Sequence, residues 1–219
     1  MKRRDIMSLV CSLLIVIAVV TIAVAGGWAT ITLAEFPDYA VAGKALNLNF
    51  TVRQHGQTPL AGLQPSVRAR TANGLAATAA GKSGPIRGEY SASLTLPEPG
   101  DWTITIASGF NNSTTTLPNL RVIASSSPTP NAFSPATRGL RLFAAKGCVG
   151  CHRHVEVNPE RASDARLDLT GKRFQQDYLK KFLADPSIKP AEMPNLRLKG
   201  DEIEALAAFV NKAASKQAR

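Results

Sequence analysis

Cys148-Val149-Gly150-Cys151-His152 is the stretch on which the reading of this chain turns. Two thiols three positions apart can each form a thioether to one vinyl group of the same porphyrin. The adjacent imidazole then reaches the iron from one face. C-x-x-C-H is the attachment pattern of a c-type haem, so one covalently held haem c is the expected cofactor, with Cys148 and Cys151 as anchors and His152 as proximal iron ligand. Such haems are attached outside the cytoplasmic membrane, which places the motif in an exported part of the chain.

The second iron ligand must come from elsewhere. Met193 is the only methionine beyond the N-terminal apolar run, and it lies on a proline-bounded loop, Met193-Pro194-Asn195-Leu196. A thioether there can cross to the face opposite His152, and a His/Met pair raises the reduction potential while closing the iron to substrate. The alternative for Met193 is a gap-filler in an apolar core. His154 is too near His152 to cross the ring and is expected at the surface, and His55 is expected in a loop after a strand. A zinc site built from Cys148, Cys151, His152 and His154 would crowd four ligands into seven positions, where zinc sites space their ligand pairs further apart. Copper in the β-rich segment would need further His, Met or Cys ligands, which residues 30–136 lack.

Around the motif the pattern is helical. Ser134-Pro135 reads as an N-cap followed by proline in the first turn. Leu140 and Phe143 share a face, and Tyr178, Leu179, Phe182 and Leu183 form the stripe of a second helix ending at Asp185-Pro186. A third begins near Asp201, spaced to Glu204 as in a capping box, and carries Ile203, Leu206, Ala207 and Val210.

Upstream, Ser125 to Asn131 is a linker by composition. Residues 30–124 read as six or seven short strands, because Leu46, Leu48, Phe50 and Val52 alternate with polar residues, as do Tyr90, Ala92, Leu94 and Leu96. Trp102, Ile104 and Ile106 make a third run. That is the size and spacing of an immunoglobulin-like sandwich, with Trp102 central to an apolar core. Residues 1–29 open on Lys2-Arg3-Arg4 and run uncharged from Ile6 to Trp28. The run exceeds the ~20 residues that span a bilayer, so a transmembrane helix is expected, with Ala23-Val24-Ala25 as a possible cleavage site if the segment is a signal instead. Cys11 is read as an inert thiol in that helix.

The net charge is +10, and residues 137–219 contribute +6 of it, from 16 Lys/Arg against 10 Asp/Glu. There is no basic–aromatic interleaving or nucleic-acid motif, so nucleic acid is not an expected partner. The basic balance suits electrostatic docking to redox proteins with acidic surfaces.

Gly139-x-x-x-Phe143, Gly147-Cys148-x-x-Cys151-His152, Tyr178-Leu179-x-x-Phe182-Leu183-x-Asp185-Pro186, Met193-Pro194-Asn195-Leu196 and Ile203-x-x-Leu206-Ala207-x-Phe209-Val210 together resemble a class I cytochrome c. The resemblance implies that the first and last helices cross, with Gly139 and Phe143 against Phe209. The Gly-Pro pair that often follows the proximal histidine and orients its ring is absent, and Pro159 after Asn158 is the residue expected to stand in. Phe50-Thr51-Val52-Arg53 and Gly88-x-Tyr90 through Trp102 resemble FixH/YtkA-like sandwich domains of bacterial membrane proteins.

These readings combine into a multidomain expectation: residues 1–29 a membrane anchor or signal segment with an N-terminal transmembrane helix, 30–124 an all-β immunoglobulin-like sandwich, 125–133 a linker, and 134–219 an all-α cytochrome c domain. The expected function is periplasmic single-electron transfer between respiratory or related redox partners, at the bacterial cytoplasmic membrane. The expectation is a carrier, not an enzyme, with no small-molecule substrate. The alternatives are a cytochrome subunit fixed in a larger respiratory or photosynthetic complex, and a haem sensor or enzyme with an open axial site.

Overall fold

Strand β3 (Ala45–Gln54) shows how the alternation becomes a layer: Leu46, Leu48, Phe50 and Val52 are buried while the residues between them face outward. The computed structural model describes residues 27–161, 164, 166–189 and 193–212. In the first sheet β3 pairs antiparallel with β1 (Ala29–Leu33) and β8 (Glu89–Thr95), and β8 with β7 (Lys82–Ser83). The short β4 (Thr58–Pro59) pairs with β3. The second sheet has the order β2 (Tyr39–Val41), β11 (Leu120–Ile123), β9 (Gly100–Ala107), β5 (Ser66–Arg70), β6 (Ala76–Ala80), with β10 (Thr114–Thr116) also on β9.

The chain crosses from the first sheet to the second between β1 and β2, and β2 then runs parallel to β11. Strands 1, 3, 8 and 7 facing strands 11, 9 and 5 reproduce the four-on-three order of an immunoglobulin-like sandwich. Its core is apolar, with Ile31, Leu33, Leu48, Val52, Trp102, Ile104, Ile106 and Leu120 fully enclosed. Each such side chain is worth roughly 1.5–3 kcal/mol relative to exposure. The Trp102 indole also donates to the Glu98 carbonyl at 3.0 Å, which satisfies its one polar atom.

Among the described residues three helices follow: α1 (Pro135–Ala145), α2 (Gln176–Ala184) and α3 (Gly200–Val210). Ser134 caps α1 by accepting from the Thr137 amide at 3.2 Å. At the start of α3 the cap differs from the expected Asp201–Glu204 box: Glu202 accepts from the Lys199 amide at 3.0 Å. Helices α1 and α3 cross at Gly139, where any Cβ would run into the Ala205 carbonyl. Phe143 and Phe209 meet edge-to-face beside that crossing, 5.6 Å between centroids.

The expected fold class needs correction. The helices form no separate all-α domain; they are packed onto the sandwich. The far side of α1 is buried as well as its helix-facing side: Ala145 belongs to the sandwich core, and Arg141 donates to the Asn119 and Pro37 carbonyls at 2.7 and 3.0 Å. Phe36 and Phe133 enclose the Arg141 guanidinium. Lys146 donates to the Ala34 carbonyl and pairs with Glu202, 2.7 Å in each case, with both side chains only 5% exposed. An isolated helical domain would leave Arg141, Lys146 and Glu202 in water; here they are the joint. Among the described residues no helix is long and apolar enough to cross a membrane. The expected membrane span lies outside the described residues apart from its end, where Gly27 and Trp28 lead into β1.

Candidate functional site

The first residues after α1 build the site. Gly147 adopts a left-handed backbone (φ 78°), which ends the helix and lays the chain against β1; a Cβ there would meet the Ile31 carbonyl at 2.6 Å. A single 3-10 turn, Cys148–Gly150, follows. The Cys148 carbonyl accepts from the amides of Cys151 and His152 at 3.1 and 2.8 Å. The turn therefore sets both thiols and the imidazole on one wall of a cavity of about 770 Å³.

Met193, Pro194 and Leu196 line the same cavity, together with Phe182 of α2. The structure thus brings Cys148, Cys151, His152 and Met193 to one cleft, of a size that suits a cofactor. The donor set fits a porphyrin: two thiols on one turn, an imidazole next to them, and a thioether on a separate loop. No group of three or more His, Cys, Asp or Glu side chains suited to a bare metal ion occurs among the described residues.

His152 is oriented by the backbone. Its Nδ1 donates to the Leu167 carbonyl at 3.2 Å, which leaves Nε2 as the nitrogen with the lone pair. Burial holds the His152 imidazole below its ordinary pKa, opposed by that hydrogen bond and reinforced by Arg161 and Lys172. Burial likewise pushes the Cys148 thiol up to about 12. Pro159 does not take the orienting role: its carbonyl accepts from Arg153 Nε at 3.1 Å. Residues 153 and 168 instead form a parallel bridge, with Arg153 and Leu167–Leu169 exchanging backbone hydrogen bonds. The Arg153–Asp168 ion pair at 2.6 Å locks this clasp.

His154 is not at the surface. It is 5% exposed and packs on Phe209, 4.4 Å between centroids, with Phe143 at 6.1 Å. Its Nδ1 accepts from the Glu156 amide, and burial lowers its pKa. It is a core residue, away from the cavity lining. His55 occupies the turn between β3 and β4 as expected, yet it lines the cavity, as do Trp28, Thr30 and Thr32. Sequence reasoning assigned the sandwich no part in the site. The available signal was weak: Thr30 and Thr32 fall on the outward face of β1, where polar residues look solvated, but both are under 9% exposed.

No family model matches the chain, and no curated protein matches it. Among solved structures, the Lin-41 filamin domain is similar at 12% identity and a TM-score of 0.35, over 45% of this chain and 98% of that one. Domains 4 and 5 of the S-layer protein SbsC are similar at 18% identity and a TM-score of 0.33, over 43% and 51%. A conjugative transposon lipoprotein from Bacteroides eggerthii DSM 20697 is similar at 12% identity and a TM-score of 0.24, over 42% and 95%. Likeness at this level carries no argument about function.

Proposed function

We propose that this chain is a c-type cytochrome that carries single electrons on the outer side of a bacterial cytoplasmic membrane. One observation carries the reading: Cys148, Cys151, His152 and Met193 line a single cavity of about 770 Å³. Cys148 and Cys151 would hold one haem c as thioethers, and His152 and Met193 would supply its iron ligands. When bound, the haem supplies reversible one-electron chemistry.

The chain's own residues do the rest. The Leu167 carbonyl fixes the ring of His152 and its tautomer, and the Arg153–Asp168 clasp holds that carbonyl in place. Met193 would take the remaining iron position, which leaves no site for a substrate and suits electron transfer. Leu196, Phe182 and Pro194 give the cavity part of its apolar wall. Arg161, which donates to the Gly150 carbonyl, and Lys172 place positive charge near His152 and favour brief encounters with acidic redox proteins. The apolar run that precedes Gly27 would supply export and membrane retention.

The test is optical. The reduced wild-type protein is expected to resist carbon monoxide, and the oxidised form to show the far-red charge-transfer band of thioether ligation. Met193→Ala is expected to lose that band and bind carbon monoxide on reduction. Rapid carbon monoxide binding by the reduced wild type would overturn the carrier reading in favour of a sensor or enzyme.

A further inference from the structure

We infer that the sandwich is part of the cofactor pocket, with the Trp28–His55 ring pair forming the wall that screens the thioether edge of the haem from solvent. The inference rests on the haem reading and extends it to a part of the chain that otherwise has no chemistry.

Three independent observations converge. First, Trp28 and His55 line the same cavity as both thiols and both expected ligands. Their rings lie 5.7 Å apart at 59°. Trp28 is 38% exposed and lines the cavity. Second, the sandwich touches the C-x-x-C turn itself. A Cβ on Gly150, between the two cysteines, would strike the Thr30 side chain and come within 3.4 Å of the Trp28 ring. The turn that carries both cysteines therefore abuts β1, where a free-standing module would face water.

Third, the wall is held firmly. The Trp28 carbonyl accepts from the His55 amide at 3.0 Å, Asn111 donates to the Gly27 carbonyl at 3.1 Å, and Ser113 accepts from the Ala29 amide at 2.9 Å. His55 takes a left-handed backbone (φ 50°), a conformation rare for non-glycine residues and frequent where a site dictates it. On the opposite side of that turn, Gly56 faces Pro194, so the β3–β4 turn also touches the Met193 loop. A wall of this kind lowers the polarity around the iron, which favours the less charged, reduced state and raises the potential.

The chain carries its own control. Its two tryptophans are Trp28 at the cavity and Trp102 in the sandwich core. In the full-length holoprotein, nitrogen-15 NMR of the two indole groups should show a much larger shift between ferric and ferrous states for Trp28 than for Trp102, since paramagnetic shifts fall steeply with distance from the iron. Trp28→Phe assigns the resonance. Trp28→Ala is expected to keep covalent haem and thioether ligation while lowering the midpoint potential. Equal indole shifts, or an unchanged potential in Trp28→Ala, would overturn the inference and leave the haem reading intact. A purified protein without covalent haem would overturn both.

Discussion

His152 Nδ1 rests 3.2 Å from the Leu167 carbonyl, fifteen residues further along the chain. That carbonyl has no side chain to mutate, so its placement is tested through the clasp that holds it. Asp168 accepts from the Thr170 amide at 2.9 Å and from Arg153 at 2.6 Å. Hydrogen bonds from Thr170 first, then Arg153, hold its carboxyl at about 2 against an ordinary 3.8. A carboxylate depressed in the folded state contributes stability above its unfolded value and loses it as pH falls toward the folded one. The clasp is therefore expected to loosen as pH falls from 3.8 toward about 2. Asp168→Asn should flatten that acid-dependent step in urea unfolding. In the haem-loaded protein it should also shift the midpoint potential at neutral pH, because the ring of His152 is less well held. An unchanged acid limb and an unchanged potential would show that the clasp does not position His152.

A buried charge pair ties the end of α1 to the start of α3 beside the Ala34 carbonyl of the sandwich, which Lys146 also holds. Glu202→Ala leaves Lys146 enclosed without its partner, and such losses cost about 3–5 kcal/mol. The double variant Lys146→Met with Glu202→Leu should recover most of that loss, since it leaves no buried charge. Chemical denaturation of the three proteins checks the ordering. A single transition lost together by tryptophan fluorescence and helical circular dichroism is expected, because the two parts share this joint.

Two glycines separate close approach from helix propensity. Gly139→Ala should destabilise by roughly 1–3 kcal/mol, since its Cβ meets the Ala205 backbone and forces α1 and α3 apart. Gly200→Ala, at the first residue of α3 with open space around it, should be neutral or stabilise by up to about 1 kcal/mol. Thermal unfolding compares them directly; equal effects would place the crossing elsewhere.

The parts of the molecule that show in the sequence are those with a local period. Leu46, Leu48, Phe50 and Val52 mark their strand because one face is buried and the other solvated, and the stripe of α2 shows for the matching reason. Strand β6 does not, because Ala76 to Ala80 is four alanines around Thr78, with no apolar–polar alternation and a single β-branched side chain. The docking of helices on sandwich is equally hidden. Lys146 and Glu202 look like two solvated charges until the fold sets them 2.7 Å apart across 56 residues.

At the site, the thiols, the imidazole and Met193 are legible because they are chemically distinctive. The Leu167 carbonyl has no sequence signature at all. Trp28 was hidden in another way, since it reads as the end of an apolar run. His154 was misplaced because histidine is polar on average, whereas here aromatic neighbours bury it.

The most direct measurement is made on full-length protein expressed with a c-type maturation system, purified, denatured and extracted with acidified acetone. The account predicts that the pigment stays with the polypeptide, that intact mass shows one added haem, and that the alkaline pyridine spectrum is that of a porphyrin with both vinyl groups consumed. Cys148→Ser with Cys151→Ser should abolish all three. A colourless polypeptide, or pigment that passes entirely into the acetone, would contradict it.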